Sequence, residues 1–365
     1  MATKREFQLC DPTKLHALVT NIFLKNGFSS KDAVQCSNVL LAADLRGIDS
    51  HGVARLEGYC RLIKAKRINP TPKMRIVRER GVNFTIDADA AIGLVSAPFA
   101  MNKVIDKLGS MGAGFAAIGN SNHFGIAAYH AMMALEHQAI GFSMTNASPL
   151  VSPARGKERM LGTNPICVAI PTGNEIPFVL DMATSTAANG KLEIASRKNA
   201  TIPYGWLTDA EGQKSNNPNE LKNKGNLLPL GSDEDTGVHK GYGLSAWVDI
   251  FSGVLSGANY GPWVPPFVSF LQPLTNLPGK GLGHFLGAWS VDGFMEYSEF
   301  TDRMDHWINR FKQSTSIDQS KPVLIPGEPE HYEAINRKAM GIPVHEKVIA
   351  ELAILAADFK VKLDI

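Results

Sequence analysis

Apolar positions recur along this chain at two spacings, and the change from one to the other divides it. From Asp11 the spacing is helical. Leu15, Leu18, Val19, Ile22 and Phe23 share one stripe, with Asp11 as N-cap, Pro12 at the first helical position and Gly27 as the stop. A second helix is predicted from near Ser30, carrying Val34, Val39, Leu40 and Leu41 and ending at Gly47. The turn Asp49-Ser50-His51-Gly52 leads into a third helix, at about residues 53–64, which places Arg55 one turn beyond His51. From Val82 the pattern changes to short strands, at 83–86, 113–118, 139–145, 165–170 and 178–180, with helices at 97–108, 125–137, 187–196 and 242–255. Residues 201–230 read as a polar surface excursion, 264–287 as a Pro- and Gly-rich loop and 288–294 as a further strand. Helices return at 298–312, 330–340 and 346–357. The pattern therefore predicts a helical domain of residues 1–80 with 298–365, and a central mixed-sheet domain of residues 81–297 carrying most of the loops suited to a site.

Within that sheet domain, residues 113–118 form an uncharged, buried-type strand, and Asn120-Ser121-Asn122-His123-Phe124-Gly125 turns from it into a helix. A polar turn with one imidazole between a strand and a helix start is a good place for chemistry, because loops on a rigid scaffold carry reactive groups without disturbing the core.

Charge and composition narrow the choice. The 365 residues hold 37 basic and 35 acidic side chains, a net charge of +2 that leaves no basic footprint for nucleic acid. Lys64, Lys66, Arg67, Lys73, Arg75, Arg78 and Arg80 read as a solvated face. Cys10, Cys36, Cys60 and Cys167 lack paired spacing and read as free thiols of a reducing compartment. Residues 1–9 have no apolar secretion core, and the longest uncharged run, 254–271, is broken by Pro262, Pro265 and Pro266. A cytoplasmic protein without a membrane partner is expected.

Several motifs are excluded by context. Gly112-Ala113-Gly114-Phe115-Ala116-Ala117 fits G-x-G-x-x-A, but a dinucleotide fingerprint needs strand before glycines and helix after, and the order here is reversed. Gly279-Lys280-Gly281-Leu282-Gly283 sits in the Pro-rich loop. No H-E-x-x-H or Cys pair joins the ten histidines, so no metal site is expected, and no G-x-S-x-G elbow appears.

Four clusters remain. Ser50-His51 with Arg55 offers a hydroxyl, an imidazole and a guanidinium fork that matches a carboxylate. His123 adds a second imidazole. Asp181-Met182-Ala183-Thr184-Ser185 ends a strand with groups suited to ribose or to orienting a histidine. His239-Lys240-Gly241 precedes a helix and suits a phosphate. Together they suggest a dehydrogenase of a 2-oxo or 2-hydroxy acid. The rivals are a metal-dependent hydrolase and a catalytically silent protein of the same fold.

The stretches Arg46-Gly-Ile-Asp-Ser-His-Gly52, Asn120-Ser-Asn-His-Phe-Gly125, Gly162-Thr-Asn-Pro165, Asp181-Met-Ala-Thr-Ser185, Ile202-Pro-Tyr-Gly-Trp206, His239-Lys-Gly-Tyr-Gly243, Gly327-Glu-Pro-Glu330 and Gly341-Ile-Pro343 run in order across the chain. In them the chain resembles the malate/L-lactate dehydrogenase family, which lacks a Rossmann fold. The resemblance implies a homodimer with a largely antiparallel central sheet and NAD, or else NADP, as cofactor. It implies acid/base roles for His51 and His123, a carboxylate clamp at Arg55, and orienting roles for Ser50 and Asp181. Cofactor contacts are implied at Asn146, Ser148, Asp181, Met182, Ala183, Thr184, Ser185, His239, Lys240, Gly327, Glu328 and Pro329. Two stretches stand out from the family pattern: the acidic Asp233-Glu234-Asp235, and the long aromatic loop 259–285 with Trp263 and Phe267.

Overall fold

A computed structural model describes residues 6–365. In chain order its strands are β1 (Phe7–Cys10), β2 (Arg75–Arg80), β3 (Asn83–Asp87), β4 (Ala113–Ser121), β5 (Ala139–Thr145), β6 (Ile166–Ile170), β7 (Phe178–Met182), β8 (Leu207–Thr208), β9 (Lys214–Ser215), β10 (Asn226–Leu227), β11 (Leu282–Ser290) and β12 (Ile342–His345). Its α-helices are α1 (Pro12–Lys25), α2 (Ser30–Leu45), α3 (Leu56–Lys64), α4 (Gly93–Ile105), α5 (Leu108–Met111), α6 (Ala127–Met132), α7 (Asn189–Arg197), α8 (Val238–Asp249), α9 (Tyr297–Lys312), α10 (Glu328–Met340) and α11 (Glu346–Asp358).

The first helices form where the pattern puts them. Asp11 accepts the Lys14 N–H at 2.9 Å and Pro12 follows, so α1 starts with a filled cap. Its predicted stripe is wholly buried. Ser29 caps α2 by accepting the Asp32 N–H. These helices pack with α3, α11 and the antiparallel β1–β12 ribbon around Leu15, Phe23, Leu40, Tyr59, Ile342 and Leu352.

The central sheet has seven strands in the order β2-β3-β4-β11-β5-β6-β7. Strands β3 and β4 run parallel; the other neighbours are antiparallel. This is the expected mixed α/β fold with a largely antiparallel sheet. Helices α4 and α6 cover one face, setting Ala97, Ala100, Met101 and Ala131 on Ala116, Ile118, Leu286 and Ala288. On the other face α8 and the π turn Ile250–Val254 bring Val248 and Phe251 onto Phe142, Met144, Ile166 and Phe285. The excursion at 201–230 carries a small sheet, β10-β8-β9, with its own core of Leu150, Val151, Leu192, Leu207 and Leu227. Helix α9 packs against β7, with Trp307 edge-on to Phe178. Among the described residues no helix is long and apolar enough to cross a membrane.

Two expectations need correction. Residues 282–287, expected in a loop, begin β11, which sits inside the sheet between β4 and β5; residues 291–294, expected in a strand, have already left it through a 3₁₀ turn. Gly283 and Gly287 suggested a loop, yet each is in the strand because a neighbour comes too close for a side chain. A Cβ on Gly283 would stand 1.7 Å from the Ser252 carbonyl oxygen, and one on Gly287 2.5 Å from the Phe115 ring. Likewise Arg75–Arg80 is solvated, as read, but it also forms the exposed edge strand β2. The excluded glycine motif keeps its helix-then-strand order: Gly112 closes α5 at φ +68° and β4 follows.

Gly283→Ala should therefore destabilise by at least about 2 kcal/mol, as overpacking against backbone does. Urea unfolding reads this as a lower midpoint; an unchanged midpoint would show that the π turn yields to β11.

Candidate active site

The turn after β4 is held from three sides. Asn122 Nδ2 donates towards the carbonyls of Arg67, Ala90 and Ala91 at 3.3, 3.1 and 3.2 Å. Gly93, opening α4, lies flat on the turn, where a Cβ would stand 2.3 Å from the Asn122 oxygen. Behind it, buried His284 joins Ser121 Oγ at 2.8 Å to Thr145 Oγ1 at 2.7 Å and stacks on Phe124. His123 projects from this support. Its Nδ1 receives the Gly125 N–H at 3.3 Å and lies 2.6 Å from the Tyr59 hydroxyl. With Nδ1 accepting, the neutral ring carries its proton on Nε2, an assignment made from the hydrogen-bond pattern.

The second turn is shaped by Asp44. This buried carboxylate accepts the Val53 N–H at 2.8 Å and fills the space a side chain at Gly52 would need. Arg337 of α10 donates to the Asp44 carbonyl at 2.7 Å and to the Asp49 carboxylate, tying the turn down. Ser50 Oγ then meets His51 Nδ1 at 2.8 Å, and the His51 and His123 rings stack with centroids 5.8 Å apart. Arg55 Nε donates to the Ser50 carbonyl at 2.5 Å, and Nη2 pairs with Glu193 at 3.0 Å. His51, Arg55, His123, Ser148, Thr163 and Phe267 line a cleft of about 70 Å³. Phe267 comes from the loop 259–285; its ring lies 4.7 Å from that of His123, and its N–H donates to Ser148 Oγ at 2.8 Å.

Burial sets the charge state. It pushes His51 down to about 4, aided by the Arg55 guanidinium and opposed by Glu193. It also holds His123 well below its ordinary value, with His51 and Arg55 adding repulsion. Both imidazoles are neutral near pH 7. Tyr59 is buried and its hydroxyl pushed well up, so it stays a proton donor.

The remaining candidates lie elsewhere. Asp181 accepts the Ala128 N–H at 2.8 Å at the start of α6, and burial raises it to about 6. It lines a second cavity of about 300 Å³ with Arg46, Gly327, Pro329 and Glu330, away from both imidazoles. Glu328 turns inward to Lys312 at 3.0 Å. Asn146 is engaged by Asn259 and Gly283, while Thr184 and Ser185 donate to neighbouring carbonyls. Met182 and Ala183 lie half-buried beside them. His239 and Lys240 are exposed on the first turn of α8.

Asn164 was missed although its motif was seen. It is buried, accepts the Ala147 N–H at 3.1 Å, donates to the Ser245 carbonyl at 3.0 Å, and its own carbonyl receives the Thr184 hydroxyl at 2.9 Å. It thus ties residues 146–148, 181–185 and α8 together. Tyr59 was missed too, though it stands four residues past Arg55 on a predicted helix. The acidic stretch before α8 is neutralised locally, Asp233 by Lys214 and Glu234 by Arg155, both at 2.5 Å. Among the described residues no three His, Cys, Asp or Glu side chains converge as a metal site.

Residues 10–353 match the malate/L-lactate dehydrogenase family. The chain belongs to that family. It is 41% identical to a malate dehydrogenase of Pyrococcus abyssi over 96% of this chain and 94% of that protein. It is 35% identical to an L-sulfolactate dehydrogenase of Methanocaldococcus jannaschii over 90% of each. The solved malate dehydrogenase of Pyrococcus horikoshii superposes with a TM-score of 0.89 at 36% identity, covering 99% of this chain and 98% of that one. Dehydrogenase relatives imply a nicotinamide cofactor, and the larger cavity offers one a polar group it can use. Arg46 lines it while its Nε is buried without a protein partner, a donor suited to a ribose or phosphate oxygen.

Proposed function

We propose that this family member interconverts a small 2-hydroxy acid and its 2-oxo acid, of the malate or lactate type. The observation that carries this reading is the convergence of two neutral imidazoles and a guanidinium on one cleft. A nicotinamide, when bound, supplies the hydride for C2 and takes it back in oxidation. Arg55 grips the substrate carboxylate and so fixes which face of the carbonyl is presented. His123 directs its Nε2 proton at the C2 oxygen, stabilising the charge that develops there. His51, backed by the Ser50 hydroxyl that can donate or accept, takes and returns the proton at its other nitrogen. Asp181 and Glu330 suit ribose hydroxyls, which favours NAD; Arg46 in the same wall keeps NADP as the alternative. His239 and Lys240, on a helix N-terminus, suit a phosphate.

The reading is tested by titrating NADH and NADPH by fluorescence and following their oxidation by pyruvate, oxaloacetate and sulfopyruvate. It fails if neither cofactor binds and no 2-oxo acid is reduced. His123→Ala is expected to lower kcat by a factor on the order of 100 or more, as loss of a transition-state donor does. Turnover close to that of the unaltered enzyme would remove His123 from the mechanism.

The depressed imidazoles fix the pH response. A lowered pKa leaves the base form dominant above it, so kcat/KM for oxidation should be flat from about pH 5.5 to 8, without the inflection near 6.5 of an ordinary histidine. For reduction, which consumes a proton, kcat/KM should fall about tenfold per unit over the same range. An oxidation profile that climbs through pH 6.5 would contradict the assignment.

A homodimer is also proposed. Tyr242, Trp247, Ile250, Val254 and Leu255 are substantially exposed along α8 and the π turn, an apolar strip on the less covered face of the sheet. Sedimentation should give twice the 39.5 kDa chain mass; a monomer at micromolar concentration would refute it.

A further inference from the structure

The catalytic cleft is too small for what it must hold. Its roughly 70 Å³ falls well short of the ~300 Å³ or more that small-molecule sites enclose. Helix α7 closes it. Asn189 and Gly190 line the cleft, and Gly190 presses so near Ser50 that a Cβ would stand 2.3 Å from the Ser50 Cβ. Leu192 anchors α7 in the small lobe, with Leu150, Leu207 and Leu227. Arg55 belongs to the other side, between Val53 and Leu56 of the helical core. One ion pair spans the two: Arg55 Nη2 to Glu193 Oε2 at 3.0 Å, with the other Glu193 oxygen held by Asn189 Nδ2 at 2.8 Å. Beside it an adjoining cavity of about 260 Å³, lined by Ser50, Arg55, Gly190, Glu193 and Arg197 among others, leaves α7 room to move.

We propose that Glu193 is a built-in competitor for the substrate carboxylate: it latches α7 onto Arg55 in the free enzyme, and the acid displaces it by taking its place on the guanidinium. The inference rests on Arg55 being the carboxylate-binding residue. The latch sets specificity as well as access. A carboxylate can replace a carboxylate on the guanidinium fork, whereas the neutral amide of the same acid cannot match the charge it must displace. The latch therefore weakens binding of the true substrate and discriminates against uncharged analogues.

Glu193→Gln keeps the shape and removes the charge. With saturating NADH or NADPH present, oxamate, an unreactive carboxylate analogue of pyruvate, should bind this variant about two- to fivefold tighter than the unaltered enzyme, the scale of a part-exposed ion pair that no longer competes. In the free variant, backbone amides of residues 189–197 should exchange with deuterium faster. Weaker oxamate binding would overturn the proposal, because Glu193 would then be holding Arg55 in place for the substrate. Unchanged affinity and unchanged exchange, with turnover of 2-oxo acids intact, would sink the latch alone. No oxamate binding and no cofactor-linked turnover in either protein would instead sink the reading of the site itself, and the competitor role with it.

Discussion

Two donors aimed at one ring nitrogen decide how this site works. The Gly125 N–H and the Tyr59 hydroxyl both address Nδ1 of His123. A second proton there would face the Gly125 N–H, so the arrangement and the burial disfavour the cation together. The arrangement lasts only if the turn cannot relax, and its supports come from separate parts of the chain. Asn122 is tied to residues 67, 90 and 91, Gly93 lies against the turn backbone, and His284 links β4 to β5 from behind. Sheet and N-terminal helices thus contribute one nitrogen's environment between them, which makes their packing part of the chemistry.

The site needs the same precision on its other wall, and there one amide supplies it. Asn164 connects the 146–148 turn, the end of β7 and α8 through a single buried side chain and its carbonyl. Each of those pieces holds a residue suited to cofactor or substrate. Buried amides that satisfy several backbone groups rigidify whatever they join. The polar groups divide between two cavities. One collects imidazoles and guanidinium, the other carboxylates and Arg46.

Much of the fold was legible because it is carried by periodic apolar residues and by caps. Helix α1 shows this from Asp11 to Gly27, and β5 and β7 show it for the sheet. What was not legible was the structural use of glycine. Gly283 and Gly287 look like loop residues until Ser252 and Phe115 are seen to occupy the space of their missing side chains. The site was legible in part for a related reason. His51, Arg55 and His123 announce themselves by residue type and turn context, and the structure does bring them together. Asp181 announces itself equally well but faces another cavity, because chemical suitability in a sequence carries no information about distance. Tyr59, Asn164 and His284 act through contacts across 64, 81 and 163 positions, which no local pattern encodes.

Beyond the clamp role proposed for it, Arg55 carries a charge that is among the reasons both imidazoles stay neutral. Glu193 partly offsets that effect at His51 in the free protein. A substrate carboxylate that replaced Glu193 would put the same charge beside the same guanidinium. The field at His51 would change little on binding, while the released Glu193 would lie near Arg197 and Lys198, which line the adjoining cavity. Exchanging like for like in this way admits an anion without moving the proton equilibrium on which the chemistry depends. It also explains why a guanidinium suits this position better than an ammonium: its fork can hold two carboxylate geometries in turn, at Nη2 or across its remaining N–H groups, while Nε stays fixed to the Ser50 carbonyl.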